Sequence, residues 1–300
     1  MNQKSYRVQG HLAVIFACVV WGTTFVSSKY LLQEFAPTEI LFFRYLLGLG
    51  ALFLFYPKRL KGTTWKQEVA FALAGLCGIT LYTLMENTAL TLTQASNVGV
   101  VVSSAPLFTA ILVSIFLKEE KISFYFFIGF ISAMLGIALI SFHGSSHLEL
   151  NPIGDLLAVG AAIAWGFYNI LLRKIHQFGY HPIQVNRRIF MYGLFFVLPV
   201  LHPLDFNLGL YRFANPFNVL NLVFLGLIAS ALCFVLYNVA VNRIGALKTS
   251  AYIYGIPVIT IIMAVLFLDE RMTVITGIGS ALTLLGLVIS EKKRKKVECT

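Results

Sequence analysis

The chain has 300 residues, 58% of them hydrophobic and only 12% charged, with a mean hydropathy of +0.80. That is too apolar for a water-soluble domain, and any chemistry must happen in or beside a bilayer. The net charge of +10 does not point to nucleic acid, because the excess sits in short inter-span loops and in the run Lys292-Lys293-Arg294-Lys295-Lys296, where it sets membrane orientation, with contact to anionic lipid a secondary role open to the tail.

Crossing the hydrocarbon takes about 20 consecutive apolar residues. Runs of that kind predict spans at 11–31, 39–56, 68–90, 95–117 and 122–142, then at 153–173, 183–201, 218–240, 246–268 and 273–290. The first run is followed by others like it, so it reads as a span and not as a cleaved signal peptide. With the N-terminus inside, the inner segments hold Lys4, Arg7, Lys58, Arg59, Lys61, Lys66, Lys118, Lys121, Arg173, Lys174, Arg243, Lys248 and the basic tail. The outer loops hold only Arg212 and Arg271. This bias predicts cytoplasmic termini in a plasma (bacterial inner) membrane.

The second five spans copy the first five. One constant offset pairs Gly10 with Gly154, Trp21 with Trp165 and Lys29 with Arg173. A slightly longer one pairs Gly75 with Gly226, Asn87 with Asn238, Pro106 with Pro257, Thr109 with Thr260 and Glu119 with Glu270. The slack falls between the second and third spans. The expected units are therefore residues 1–145 and 152–292, followed by a basic cytoplasmic tail at 293–300. An odd number of spans per copy forces the two copies to lie upside down relative to one another, with a two-sided pocket at their junction. The fold class expected is all-α, a polytopic membrane protein of ten transmembrane helices in two inverted five-helix repeats.

Four features together resemble the EamA-type branch of the drug/metabolite transporter superfamily. They are Trp21-Gly22-x-x-Phe25, Asn87-x-Ala89, the mid-span Pro106, and the acidic closures Leu117-Lys118-Glu119-Glu120 and Leu268-Asp269-Glu270-Arg271. The resemblance covers the whole chain in two tandem units. It implies ten helices, alternating access around a central pocket, and solutes such as amino acids and other small metabolites, often moved outward.

Candidate site residues follow from helical spacing, since positions i, i+3, i+4 and i+7 share a face. The first span then groups Trp21, Thr24, Phe25 and Ser28, and the sixth groups Trp165, Tyr168, Asn169 and Leu172. Each stripe joins an aromatic platform to polar groups, which suits a wall that stacks on and hydrogen-bonds to a solute. It equally suits a tryptophan packed between helices, with Thr and Ser bonding back to their own backbone. The third span groups Gly75, Gly78, Tyr82 and Glu86, and the eighth groups Gly226, Ser230, Cys233 and Tyr237. Small residues turn those faces into the bundle. Glu86 is then an ionisable group inside a membrane protein, open to three roles: a solute or proton site, an ion pair with Lys29 or Arg44, or solvation by headgroup water. Asn87 and Asn238 read as bonds across helices or to a neighbouring broken backbone, with contact to solute as the lesser alternative. Pro106 and Pro257 bend their helices and are candidate hinges, though bent helices are also ordinary packing. Ser103, Tyr252 and Tyr254 are further pocket candidates. Stripes at Gly129/Gly136 and Gly279/Gly286 suit close packing of the fifth or tenth helix, within the chain or against a second protomer.

No enzyme signature is present. There is no phosphate-cradling glycine loop, no His-x-x-x-His pair and no credible Ser/His/Asp set, and the four cysteines have no paired spacing. No cofactor or metal is expected, and without a nucleotide motif the driving force is an ion gradient or the solute's own gradient. The expected partners are a small solute, with protons as a candidate coupling ion, and membrane lipids. A monomer and a homodimer both fit. The reading is a transporter of small metabolites by alternating access, an exporter of amino acids or related amine-bearing metabolites. An importer of a cationic or nucleoside-like nutrient (choline, purine) and a non-transporting membrane subunit stand as alternatives.

Overall fold

The computed structural model describes residues 3–92, 95–116, 123–144, 152–201, 206, 209–259 and 274–290. Among the described residues there is helix and no strand, as hydrocarbon demands, because a helix satisfies its own backbone groups. The first span is Gln3–Leu31, the second Pro37–Phe55 and the third Trp65–Leu92. The fourth is two helices, Ala95–Val102 and Ala105–Phe116, and the fifth is Phe124–Gly144. The sixth, seventh and eighth are Pro152–His176, Pro182–Leu201 and Pro216–Ile244. The ninth is described as Ala246–Ala251, Tyr252–Gly255 and residues 256–259, and the tenth is Val274–Ser290. Five helices among the described residues are long and apolar enough to cross a membrane: the first, second, third, sixth and eighth. The acidic closures at 117–120 and 268–271 lie outside the described residues.

Local chemistry sets the helix starts. The second span opens on Pro37, and the Glu39 carboxylate accepts the Ala36 N–H at 2.7 Å, satisfying a donor the helix cannot pair itself. The eighth opens on Asn215, whose Oδ1 accepts the Phe217 N–H at 3.0 Å ahead of a Pro216 first turn.

The third and eighth spans are not regular α-helices. Leu76–Leu81 and Phe224–Leu232 are π-helical, and they sit at equivalent places in the two halves. The fourth span breaks between Val102 and Ala105, just before Pro106. The ninth tightens to a 3₁₀ turn at Tyr252–Gly255, just before Pro257. Proline supplies no N–H and crowds the preceding turn, so both interruptions have the cause expected from the sequence.

The fifth and tenth helices meet along their glycines, within this chain and not across a protomer boundary. A Cβ on Gly129 would come within 2.5 Å of the Gly286 carbonyl oxygen and the Ser290 nitrogen. One on Gly136 would overlap Gly279 and Thr283. The earlier glycine of each helix thus faces the later glycine of the other, so the helices run antiparallel. The exchange is reciprocal, as a two-fold relation between the halves requires. Gly129→Ala is expected to force the helices apart and to cost about 1–3 kcal/mol. A thermal unfolding midpoint equal to that of the parent protein would show that the seam spreads freely.

Candidate functional site

The largest apolar cluster draws on both halves and centres on their tryptophans. Trp21 and Trp165 meet edge to face, with centroids 5.5 Å apart and planes at 86°, a geometry that the ring quadrupoles favour. Phe234 and Tyr237 of the eighth span pack on Trp21 at 5.6 and 5.2 Å. Tyr82 and Tyr168 pack on Trp165 at 4.8 and 5.1 Å. Tyr45 and Phe190, 5.0 Å apart, extend the cluster toward the second and seventh spans. The rings of the two halves touch one another directly.

The π segments explain how the centre is assembled. Widening a helical turn takes a carbonyl out of the regular ladder. Within the eighth-span segment the Ala229 oxygen accepts Trp21 Nε1–H at 2.9 Å. In the third-span segment Thr80 donates its hydroxyl to the Gly193 carbonyl at 2.9 Å. Gly78, in the same segment, leaves the room that the Tyr168 ring fills, and a Cβ there would overlap it.

Polar groups ring this aromatic centre. Tyr237 donates its hydroxyl to Asn169 Oδ1 at 2.8 Å, and Asn169 Nδ2 donates to Thr109 Oγ1 at 3.2 Å. The Tyr168 hydroxyl is buried without a protein partner among the described residues. Tyr82 donates to Glu86 Oε1 at 2.9 Å, and Glu86 is half-buried. Arg44 is buried, with Nε donating to Ser230 Oγ at 2.5 Å and its guanidinium 5.3 Å from the Tyr45 ring centroid. The Tyr45 hydroxyl lies 3.1 Å from Thr83 Oγ1, which ties the Arg44 region of the second span to the Glu86 region of the third. Arg44 and Glu86 thus stand on neighbouring spans joined by that contact, and they form no ion pair with each other.

Not every sequence candidate comes to this centre. Trp21, Tyr82, Trp165, Tyr168, Asn169 and Tyr237 do, with Glu86 and Arg44 beside them. Phe25 packs on a neighbouring apolar cluster that also holds Tyr82 and Val102. Thr24 and Ser103 donate to their own helices, at the Trp21 and Gly99 carbonyls. Ser28 is buried. Lys29 is exposed and pairs with no acid among the described residues, so it is not the partner of Glu86. Tyr252 packs against the same large apolar cluster and places its hydroxyl 2.8 Å from His11 Nδ1. Tyr254 packs with Ala133, Ile137 and Phe130 of the fifth helix. Asn87 reaches across to the Pro37 carbonyl at 3.4 Å, as a cross-helix bond should. Asn238 does not: both of its side-chain polar atoms are buried with no partner among the described residues. Among the described residues no group of three or more His, Cys, Asp or Glu is placed to hold a metal.

Two inverted helical repeats joined at an aromatic centre, with charge held inside the bundle, define a polytopic membrane protein of internally duplicated type. The model of the EamA-like transporter family matches residues 8–142 and 152–291. A protein of Archaeoglobus fulgidus named an uncharacterized transporter is 28% identical over 277 residues, 91% of this chain and 95% of that one. A probable terminal-alkyne amino-acid exporter of Streptantibioticus cattleyicolor is 23% identical over 282 residues, 94% of this chain and 93% of that one. A solved crystal structure has the same fold, with a TM-score of 0.78 over 97% of each chain at 18% identity. The chain belongs to the EamA-like transporter family, and it is a transporter.

Proposed function

We propose that the protein is a secondary-active or facilitative carrier that exports amino acids or related amine-bearing metabolites, working by alternating access from a membrane with both termini in the cytoplasm. The observation that carries this reading is the unpaired couple of Arg44 and Glu86. Two opposite charges held on adjacent spans without closing on each other are costly inside a bilayer. A zwitterion resolves the cost, with its carboxylate on the Arg44 guanidinium and its ammonium on Glu86 and the aromatic faces. The partnerless Tyr168 hydroxyl is a further group that a solute's polar atoms would satisfy. The two units at 1–145 and 152–292 would rock against each other, with Pro106 and Pro257 as hinges. The exporter direction takes support from the family resemblance and from the name of the Streptantibioticus cattleyicolor relative.

The test is uptake into proteoliposomes and thermal stabilisation of the purified protein across a panel of amino acids and the amines made by decarboxylating them. Arg44→Gln is expected to weaken the amino acid by roughly tenfold to a hundredfold, the range for a lost charge-assisted hydrogen bond, and to leave the amine nearly unchanged. The amine also reports that the variant folds. Failure of every amino acid to stabilise or to be moved would overturn the reading. An imposed pH gradient driving concentrative uptake of choline or a purine would favour an importer.

A further inference from the structure

A second polar site lies away from the tryptophans, where the end of the second span meets the start of the seventh. It is a recess of about 310 Å³ walled by Phe53, Arg59, Leu60, Gln184, Arg187 and Arg188. Three guanidinium groups face it, and the carboxylate at hand is Glu68. That acid is already engaged by Arg188 at 2.9 Å, by the Tyr192 hydroxyl at 2.6 Å and by Thr63 Oγ1 at 2.6 Å. Arg187 is 4% exposed, and among the described residues its acceptors are neutral, the carbonyls of Tyr56 at 2.8 Å and Lys58 at 2.6 Å. Its planar head lies 4.6 Å from the Phe53 ring centroid. Arg59 is exposed, and no described residue accepts from its side chain.

Closing the end of the second span accounts for Arg187, since a cation is favoured at helix carbonyls. It does not account for two further cations around the same opening. Nor does the architecture require them, as the other half shows. Pairing Pro37 with Pro182 and Gly48 with Gly193 sets Phe42 and Phe43 where Arg187 and Arg188 stand. There the space is filled by rings, with Phe42 against Phe206 at 5.4 Å and Phe43 against Phe213 at 5.1 Å. One copy packs this corner with phenylalanine, and the other keeps it open and lines it with arginine.

The edge of the recess is apolar and unburied. Leu54 and Phe55 follow Phe53 with more than four-fifths of their surface exposed, and Trp65, at the start of the third span, is as open. An exposed tryptophan next to Lys66 at the start of a span marks a level where headgroups meet acyl chains. We propose that this recess binds a phosphate group, that of an anionic membrane lipid, with Arg59 and Arg188 as its direct ligands and the immobilised Arg187 supplying field. The forked guanidinium is the side chain best matched to phosphate oxygens. Basic pockets between spans take anionic headgroups for the same reason.

The probes are phosphatidylglycerol, phosphatidylcholine and inorganic phosphate, added to purified delipidated protein and read by native mass spectrometry and thermal shift. Phosphatidylglycerol should bind in preference to phosphatidylcholine, and Arg59→Gln should weaken it about fivefold. Arg59 has no protein partner to lose among the described residues, so that variant should fold as the parent does. Arg188→Gln should weaken it again while Glu68 keeps its bonds from Tyr192 and Thr63. Lipid binding that inorganic phosphate does not displace identifies the headgroup as the source. Displacement, with phosphate alone stabilising the protein, identifies a soluble anion at the same ligands. Equal binding of both lipids with no effect of phosphate would overturn the proposal. So would phosphatidylglycerol binding that Arg59→Gln leaves unchanged, which would place the lipid on the basic tail.

Discussion

Glu86→Gln is expected to lower transport at least about tenfold, or to abolish its pH dependence, with the protein still folded. The reasoning separates structure from charge. Tyr82 donates to Glu86 Oε1, and a glutamine at 86 keeps an oxygen there to accept that bond. What the substitution removes is the negative charge and the exchangeable proton. If the carboxylate takes a solute ammonium, the loss appears as weaker binding of every amine-bearing substrate. If it carries a proton, the rate becomes flat with pH. Transport measured in proteoliposomes at several pH values distinguishes the two. A variant that matches the parent in both rate and pH response would leave Glu86 a structural acid only.

The second large effect concerns stability. Arg212, from the short helix Leu210–Ala214, makes two bonds to Glu39, at 2.7 and 3.1 Å, with the residues 6% and 2% exposed. It also donates to the Glu34 carbonyl at 2.7 Å and covers the Phe35 ring at 4.3 Å. Glu39 meanwhile caps the second span through Ala36. Arg212→Met should therefore cost about 3–5 kcal/mol, because it strands a buried carboxylate that the helix start still needs. Pairing it with Glu39→Gln should recover part of the loss, as a double-mutant cycle measures. Its hydrogen bonds to Glu39 hold the Arg212 guanidinium above its usual range. A raised cation contributes below its unfolded pKa and loses that contribution only as pH rises through the folded value, which for arginine lies beyond working conditions. Alkaline titration of Arg212 is thus not expected to unfold the protein, whereas removing it should. A midpoint for Arg212→Met within the range of an ordinary surface substitution would refute the assignment.

Much of the fold was legible because hydrocarbon restricts the choices. Span-length apolar runs must be helices, and the repetition of Trp21 at Trp165 and Pro106 at Pro257 marked the duplication. The glycine stripes at 129/136 and 279/286 announced a close contact but not its partner, since a sequence does not say which small-residue face meets which. The π segments at Leu76–Leu81 and Phe224–Leu232 left no trace, as shifting a hydrogen bond by one residue changes neither hydropathy nor composition. Where the helix is regular, helical spacing put Trp165, Tyr168 and Asn169 on one face, and all three side chains are buried. Tyr252 and Tyr254, candidates through their nearness to Pro257, lie on the 3₁₀ turn and take separate surroundings, at His11 and at the fifth helix. The pairing of Arg212 with Glu39 was invisible for another reason. A loop cation and a helix-start acid far apart in the chain carry no shared period.

The seam of Gly129, Gly136, Gly279 and Gly286 also constrains how the molecule moves. Backbones that approach so closely interlock, and neither helix can slide along the other without collision. What stays free is a small turn about the seam itself, like an axle between two plates. Under the proposed rocking of the halves, labels placed near these glycines should hold a fixed separation, while labels on the opposite flank of the bundle sweep the greatest distance.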